Sequence, residues 1–279
     1  MATLPGDIGK RAKGFLGGDA ASGTFIFNPK LTISSTTQSG VALTATANQK
    51  GDKLDATLKA AYTAPSKKYS VDATADPTGK VTVNASVSEV ARGVKLTGSV
   101  VLPSPASTAK LTAEYASAAL SAKAVVGLNA SPVVDLAIGS SLKRLLLGCE
   151  ATYDSAKADL TKANLVLGYH AADFQATATL ADLGSTLKLA YVHSISPVAT
   201  VGGELSRKLG DPASTSFALA YGRTLAGGAV TKLKLDSAGT LAALYQTKLA
   251  GGEKLAGSLQ VQATDLSKAP KYGFALDLA

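Results

Sequence analysis

Residues 174–180 read FQATATL, with Phe174, Ala176, Ala178 and Leu180 alternating against Gln175, Thr177 and Thr179, and residues 81–88, VTVNASVS, do the same. A strand sends successive side chains to opposite faces, so each stretch makes a ribbon that is apolar on one side and polar on the other. The pattern recurs along the chain. Leu54, Ala56, Leu58 and Ala60 alternate with Asp55, Thr57 and Lys59, and Val94, Leu96, Gly98 and Val100 with Lys95, Thr97 and Ser99. Near the end Leu255, Gly257, Leu259 and Val261 oppose Ser258, Gln260 and Gln262, and Tyr272, Phe274, Leu276 and Leu278 oppose Gly273, Ala275 and Asp277.

Short breaks separate these ribbons at 49–52, 76–79, 103–105, 131–132, 181–184, 210–212, 226–228 and 250–252. They suit hairpin connections between antiparallel neighbours. Segments of about ten residues over this length make roughly nineteen strands, with residues 142–151 and 241–249 alternating poorly. A tilted strand needs about nine to eleven residues to cross a bilayer, whereas globular strands average about five or six. The apolar faces are rich in alanine, which leaves a protein core underfilled but which acyl chains can cover. The expectation is therefore an all-β membrane protein. It is a closed transmembrane barrel over 24–279, because closure removes the strand edges that lipid cannot satisfy. A barrel of that size has a backbone diameter of roughly 38 Å and a lumen that side chains cannot fill.

Residues 4–18, LPGDIGKRAKGFLGG, differ from everything that follows. Leu4, Ile8, Ala12, Phe15 and Leu16 fall on one apolar stripe of a helix, while Asp7, Lys10, Arg11 and Lys13 cover the rest. Pro5 suits the first helical turn, and Gly14, Gly17 and Gly18 are expected to end the helix and leave a hinge. So short a helix is marginal alone and must dock. At about 10 to 12 Å across it fits inside the lumen. Its stripe is expected to rest weakly on a small inward patch drawn from Leu146, Val166 and Val125.

The net charge of +8, from 28 Lys and Arg against 20 Asp and Glu, favours anionic partners. No basic cluster is interleaved with aromatic residues, which argues against nucleic acid. Mean hydropathy is +0.17, yet no run approaches the roughly twenty apolar residues of a membrane helix. Neither a secretory signal nor a matrix transit peptide is expected after Met1. The single cysteine, Cys149, excludes an internal disulfide framework. His170 and His193 are the only histidines and lack partners at metal-ligand spacing. No nucleophile elbow or phosphate loop is present, so neither an enzyme, a metal nor a cofactor is expected. Phasing the charges puts Lys30, Lys59, Lys68, Lys95, Lys110, Lys123, Lys188, Lys232, Lys234 and Lys248 on polar faces. Against them stand Asp55, Asp72, Glu114, Asp135, Glu150, Glu204, Asp236 and Asp277. With Lys10, Arg11 and Lys13 on the helix, the expected lumen carries a cationic excess that raises local anion concentration without tight binding.

The chain resembles the mitochondrial voltage-dependent anion channels, or mitochondrial porins. Residues 6–16, GDIGKRAKGFL, resemble the family's N-terminal helix, and the glycine-containing stretch to Gly23 its flexible linker, which extends the hinge to Gly23. Residues 93–98, GVKLTG, resemble its Gly-Leu-Lys motif with Val for Leu, and residues 167–182 its strand pair with an aromatic-Gln motif. Lys271, Gly273, Leu276 and Leu278 match the signal by which mitochondrial outer-membrane barrels are sorted. The resemblance implies nineteen strands, and the count of segments is read in its light. An odd count makes the first strand, near 25–34, pair in parallel with the last, near 272–278, and Pro29 then needs a bulge or a weak ladder position.

The resemblance further implies a voltage-gated, weakly anion-selective channel for small metabolites, ATP and ADP, phosphate and organic anions. Its setting would be the mitochondrial outer membrane, with membrane lipids as partners and room for a homo-oligomer. The chain departs from the family in having no Trp and only 9 Tyr and 6 Phe, so its aromatic girdle must be thin. Animal members carry a lipid-facing Glu on the fourth strand, where alternation here puts Tyr69, Val71, Ala73 and Ala75 outward and Asp72 inward. A sibling protein-import barrel, which usually has a longer N-terminal extension, and a soluble or surface β-repeat structural protein are the alternatives.

Overall fold

The period-two segments form strands, and turn residues decide where each ends. In the computed structural model, residues 2–19, 23–51, 53–210 and 214–278 are described. The sequence-read turn residues Asp52, Asp211 and Pro212, and positions 20–22 of the expected hinge, lie outside them. Strands β1 (Lys30–Thr36), β2 (Val41–Lys50), β3 (Lys53–Thr63), β4 (Tyr69–Ala75) and β5 (Val81–Ser88) come first. They are followed by β6 (Val94–Leu102), β7 (Lys110–Ala116), β8 (Leu120–Gly127), β9 (Val133–Leu142) and β10 (Leu145–Asp154). Then come β11 (Asp159–His170), β12 (Phe174–Ala181), β13 (Thr186–Ser196), β14 (Ala199–Lys208) and β15 (Thr215–Thr224). The last are β16 (Val230–Asp236), β17 (Thr240–Lys248), β18 (Lys254–Gln262) and β19 (Lys271–Leu278).

Among the described residues these nineteen strands close into one barrel. Consecutive strands are antiparallel, and β19 meets β1 in parallel through a short register from Ala275↔Lys30 to Leu278↔Ile33. The first strand begins later than its sequence suggests. Residues 25–29 form no ladder and run as a strap toward β1, and Pro29, which has no N–H to give, stands just outside the sheet. Its carbonyl still accepts from the Gln49 N–H at 3.0 Å.

Hairpin turns follow local side-chain chemistry. The Asp76 carboxylate accepts from the Thr78 N–H at 2.9 Å, the Thr78 hydroxyl at 2.6 Å and the Lys80 N–H at 3.0 Å. These bonds, the Thr78 hydroxyl foremost, hold the Asp76 carboxyl below its ordinary value. A four-residue helix, Pro105–Thr108, caps the connection from β6 to β7.

Cross-strand register keeps alternation coherent around the barrel, since directly opposed residues share a face. Leu31, Ile33, Leu58, Tyr69, Val71, Ile138, Leu165, Leu219 and Leu233 are all exposed on the outside, an apolar surface suited to lipid. Among the described residues no helix is long and apolar enough to cross a membrane. Three of the sparse aromatics form one group on the outer face. Tyr169 and Tyr191 each stand 5.7 Å from Phe174, ring centre to ring centre, and His193 joins them, its Nδ1 3.1 Å from the Tyr191 hydroxyl. His193 therefore sits on the outer face of β13, next to Val192 on the inner one. Cys149 is exposed and shares the outer face with Ile138 and Leu165.

The buried apolar residues do not fill the barrel. The two clusters they form lie where the N-terminal segment meets the inner wall.

Candidate functional site

The N-terminal segment is not the single helix that its apolar stripe predicts. Pro5–Asp7 forms one tight 3-10 turn, Gly9 takes φ of 79°, and an α-helix, α1 (Lys10–Gly17), follows. Gly9 supplies the left-handed conformation that a residue with a Cβ adopts only with strain. Leu4 is extended, outside any helix, and its carbonyl accepts from the N–H groups of Asp7 at 2.9 Å and Ile8 at 3.2 Å. The hinge glycines are redistributed too. Gly14 and Gly17 lie within α1, whereas Gly18 and Gly23 sit in a two-residue antiparallel ladder that pairs Gly18 with Thr24 and Asp19 with Gly23.

The stripe docks at two places. Ile8 packs on Leu146 of β10 and Val166 of β11. Ala12, Phe15 and Leu16 pack on Val192 of β13 and Ala220 of β15. Val125 joins neither cluster and instead lines, with Leu4, a cavity of about 600 Å³. The wall is hollowed to receive the segment. A Cβ on Gly148 would stand 2.8 Å from Pro5, one on Gly168 2.7 Å from Ile8, and ones on Gly202 and Gly222 each 2.8 Å from Phe15. With Ala12 and Ile8 at 0% and 1% exposure, the attachment is a fitted seat rather than the weak contact expected.

The three basic residues of α1 have separate fates. Lys10 pairs with Asp7 at 3.1 Å, and Arg11 donates to the Ser194 hydroxyl at 2.7 Å and the Asp173 carbonyl at 3.4 Å. Lys13 is exposed to the lumen.

The face that carries Val192, Gly202 and Ala220 can be followed around the whole barrel by register. It takes in Lys188, Lys234, Lys248, Lys30, Lys59, Lys95, Lys110 and Lys123. Lys162 and Lys254 belong to it as well and escaped the sequence reading. Lys162 follows a register shift at Thr152/Tyr153, and Lys254 opens its strand directly after a turn. Carboxylates share the wall and pair with some of the lysines: Lys59 with Asp72 at 3.9 Å, Lys123 with Glu114 at 3.1 Å and Lys162 with Glu150 at 3.4 Å. Among the described residues, no ion pair involves Lys30, Lys95, Lys110, Lys188, Lys234 or Lys248. Lys232 corrects its sequence reading as a water-lining lysine. It lies on the lumenal face but under the N-terminal segment, 1% exposed, with Nζ donating to the carbonyls of Phe15 and Gly23.

Residues 6–273 match the family model described as Eukaryotic porin. The chain belongs to the eukaryotic porin family. Among relatives, porin 5 of the mitochondrial outer membrane of Oryza sativa subsp. japonica is 32% identical over 98% of this chain and 96% of its own length. Porin 4 of the mitochondrial outer membrane of Arabidopsis thaliana is 26% identical over the same shares. A solved triple mutant of the Rhodopseudomonas blastica porin has a similar fold, with a TM-score of 0.50, 10% identity, and coverage of 79% of this chain and 88% of that one.

The porin is thus a channel-forming barrel of the mitochondrial outer membrane and not an enzyme. Its exposed leucines and valines contact lipid, and its lumen passes small solutes. Tyr69 and Val71 of β4 face that lipid, while Asp72 faces inward, where it accepts from the Asn84 amide at 2.9 Å. His193 Nε2 lies 3.4 Å from Asp173, but no group of three or more metal-binding side chains occurs among the described residues.

Proposed function

We propose that this porin conducts small anionic metabolites passively, among them ATP, ADP, phosphate and organic anions, with a weak preference over cations and a voltage-dependent shift toward less conducting states. The observation that carries the reading is the row of lumenal lysines without an ion-pair partner among the described residues, from Lys95 and Lys110 through Lys188 to Lys234, Lys248 and Lys30. Paired lysines such as Lys59 and Lys123 act as local dipoles whose fields largely cancel at the pore axis. The unpaired ones leave a net positive potential, which enriches anions and lowers their entry barrier while binding none of them tightly. α1 narrows the bore on the β10–β15 side and adds Lys13 and the partly compensated Lys10.

In this reading residues 1–23 act as one unit on the barrel of 24–279. Voltage biases the position of charge on that unit or on the wall, and copies of the barrel can associate through their lipid-facing surfaces. Lys271, Gly273, Leu276 and Leu278 serve as the sorting signal of the last strand. The test is the reversal potential in planar bilayers under a salt gradient. Lys95→Glu, Lys110→Glu and Lys234→Glu together should move it toward cation preference, and a reversal potential equal to that of the parent protein would refute the reading.

A further inference from the structure

Lys232 is a buried side chain that bonds to α1 on one side and to the short ladder before the strap on the other. Its Nζ donates to the Phe15 carbonyl at 3.0 Å and to the Gly23 carbonyl at 2.6 Å. The same ammonium stands 4.9 Å from the centre of the Phe25 ring and 5.7 Å from that of Phe15. The Phe15 carbonyl belongs to the last turn of α1, where carbonyls lack helical partners and a cation is favoured by the dipole. Gly23 is pressed against the wall as well: a Cβ there would lie 2.5 Å from Leu244 Cδ2.

We propose that Lys232 is the positioning residue of the constriction. It clips the end of α1 and Gly23, just before the strap, to β16, so the N-terminal segment leaves the wall only in a step that strips a buried ammonium of its carbonyl partners. The proposal rests on the reading of α1 as the narrow part of the conducting path. Charge-assisted hydrogen bonds are stronger than neutral ones, and a buried charge left without partners is costly, so half-released positions are not populated. Gly17, Gly18 and Gly23 then do not work as a free hinge while the clip is closed. Release instead couples the two ends, carrying Lys10, Arg11 and Lys13 off the wall while exposing Lys232 to lumenal water. The charge pattern of the bore is thereby exchanged rather than simply reduced.

The test reads the seat directly, without ion flow, so its failure is distinct from a failure of the anion-selective reading. In a Cys149→Ser background, Leu16→Cys places a thiol on the seated face of α1, and a water-soluble maleimide reports how often that face opens. Lys232→Met should raise the labelling rate at least roughly tenfold, the loss expected for removing hydrogen bonds to a charged group. Lys234→Met, on the same strand and face, should leave the rate unchanged. Phe25→Leu removes a ring beside the ammonium without touching a barrel strand, and should raise the rate in the same direction even where Lys232→Met fails to fold. Equal rates in the parent, Lys232→Met and Phe25→Leu proteins, or equal acceleration by Lys234→Met, would overturn the proposal.

Discussion

Phe15 rests on Gly202: a Cβ added to that glycine would stand 2.8 Å from ring Cδ1 and 3.2 Å from Cε1. Gly222 of β15, two positions beyond Ala220, the cross-strand partner of Gly202, meets the other edge of the same ring, with Cε2 2.8 Å from its added Cβ. The wall backbone therefore forms the floor of the seat, and glycine is what lets the ring approach it. Gly202→Val should overpack the seat, weakening docking by about 1–3 kcal/mol while leaving the outer face of β14 unaltered. Limited trypsin digestion of the folded porin checks this. Cleavage after Lys10, Arg11 and Lys13 should accelerate while the barrel core stays resistant, and unchanged cleavage at those sites would count against the fitted seat.

Selectivity that arises from a summed field must weaken with salt. The Debye length is about 10 Å at 0.1 M and about 3 Å at 1 M, against a bore of roughly 38 Å between backbones. Wall lysines such as Lys95 and Lys110 therefore reach the permeating ions only at low ionic strength. The ratio of anion to cation permeability should rise as salt is lowered toward 0.1 M and approach unity near 1 M. A ratio that does not vary over this range would point to contact binding at a discrete site.

The strands were legible because lipid on one side and water on the other impose a period of two over their whole length. The same rule explains where legibility failed. Residues 142–151 and 241–249 alternate poorly because Leu146 and Leu244 turn apolar side chains into the lumen, and both are covered there by the N-terminal segment, at 8% and 4% exposure. The broken alternation was itself the trace of the docking site, and Val192 on the inner face of β13 belongs to the same trace. Lys232 could not be told from Lys234 by phase, since both lie on one face. Its contacts with the N-terminal segment, with Phe15 217 residues away and with Gly23, separate a buried anchor from a lysine in the lumenal wall. The helix start was misplaced for a local reason. The spacing of Leu4 and Ile8 fits a helix, but Gly9 at positive φ divides the segment and leaves only Lys10–Gly17 helical.

Gly273 bears on the short parallel pairing that closes the barrel. The strap passes directly over it: a Cβ at Gly273 would lie 2.5 Å from the Asn28 nitrogen and 2.7 Å from the Ile26 carbonyl oxygen. The Ile26 N–H also donates to the Ser258 hydroxyl at 2.9 Å, so the strap is fastened to β18 and β19 beside the short parallel pairing of β19 with β1. The family resemblance gives Gly273 a role in sorting, which needs cellular machinery, whereas the strap contact is a property of the folded chain alone. Refolding into detergent separates the two. Gly273→Val should displace the strap and lower the yield and thermal stability of the refolded barrel by a cost of about 1–3 kcal/mol. Normal refolding and stability in detergent, combined with failure to reach the outer membrane in cells, would instead assign the glycine to sorting alone.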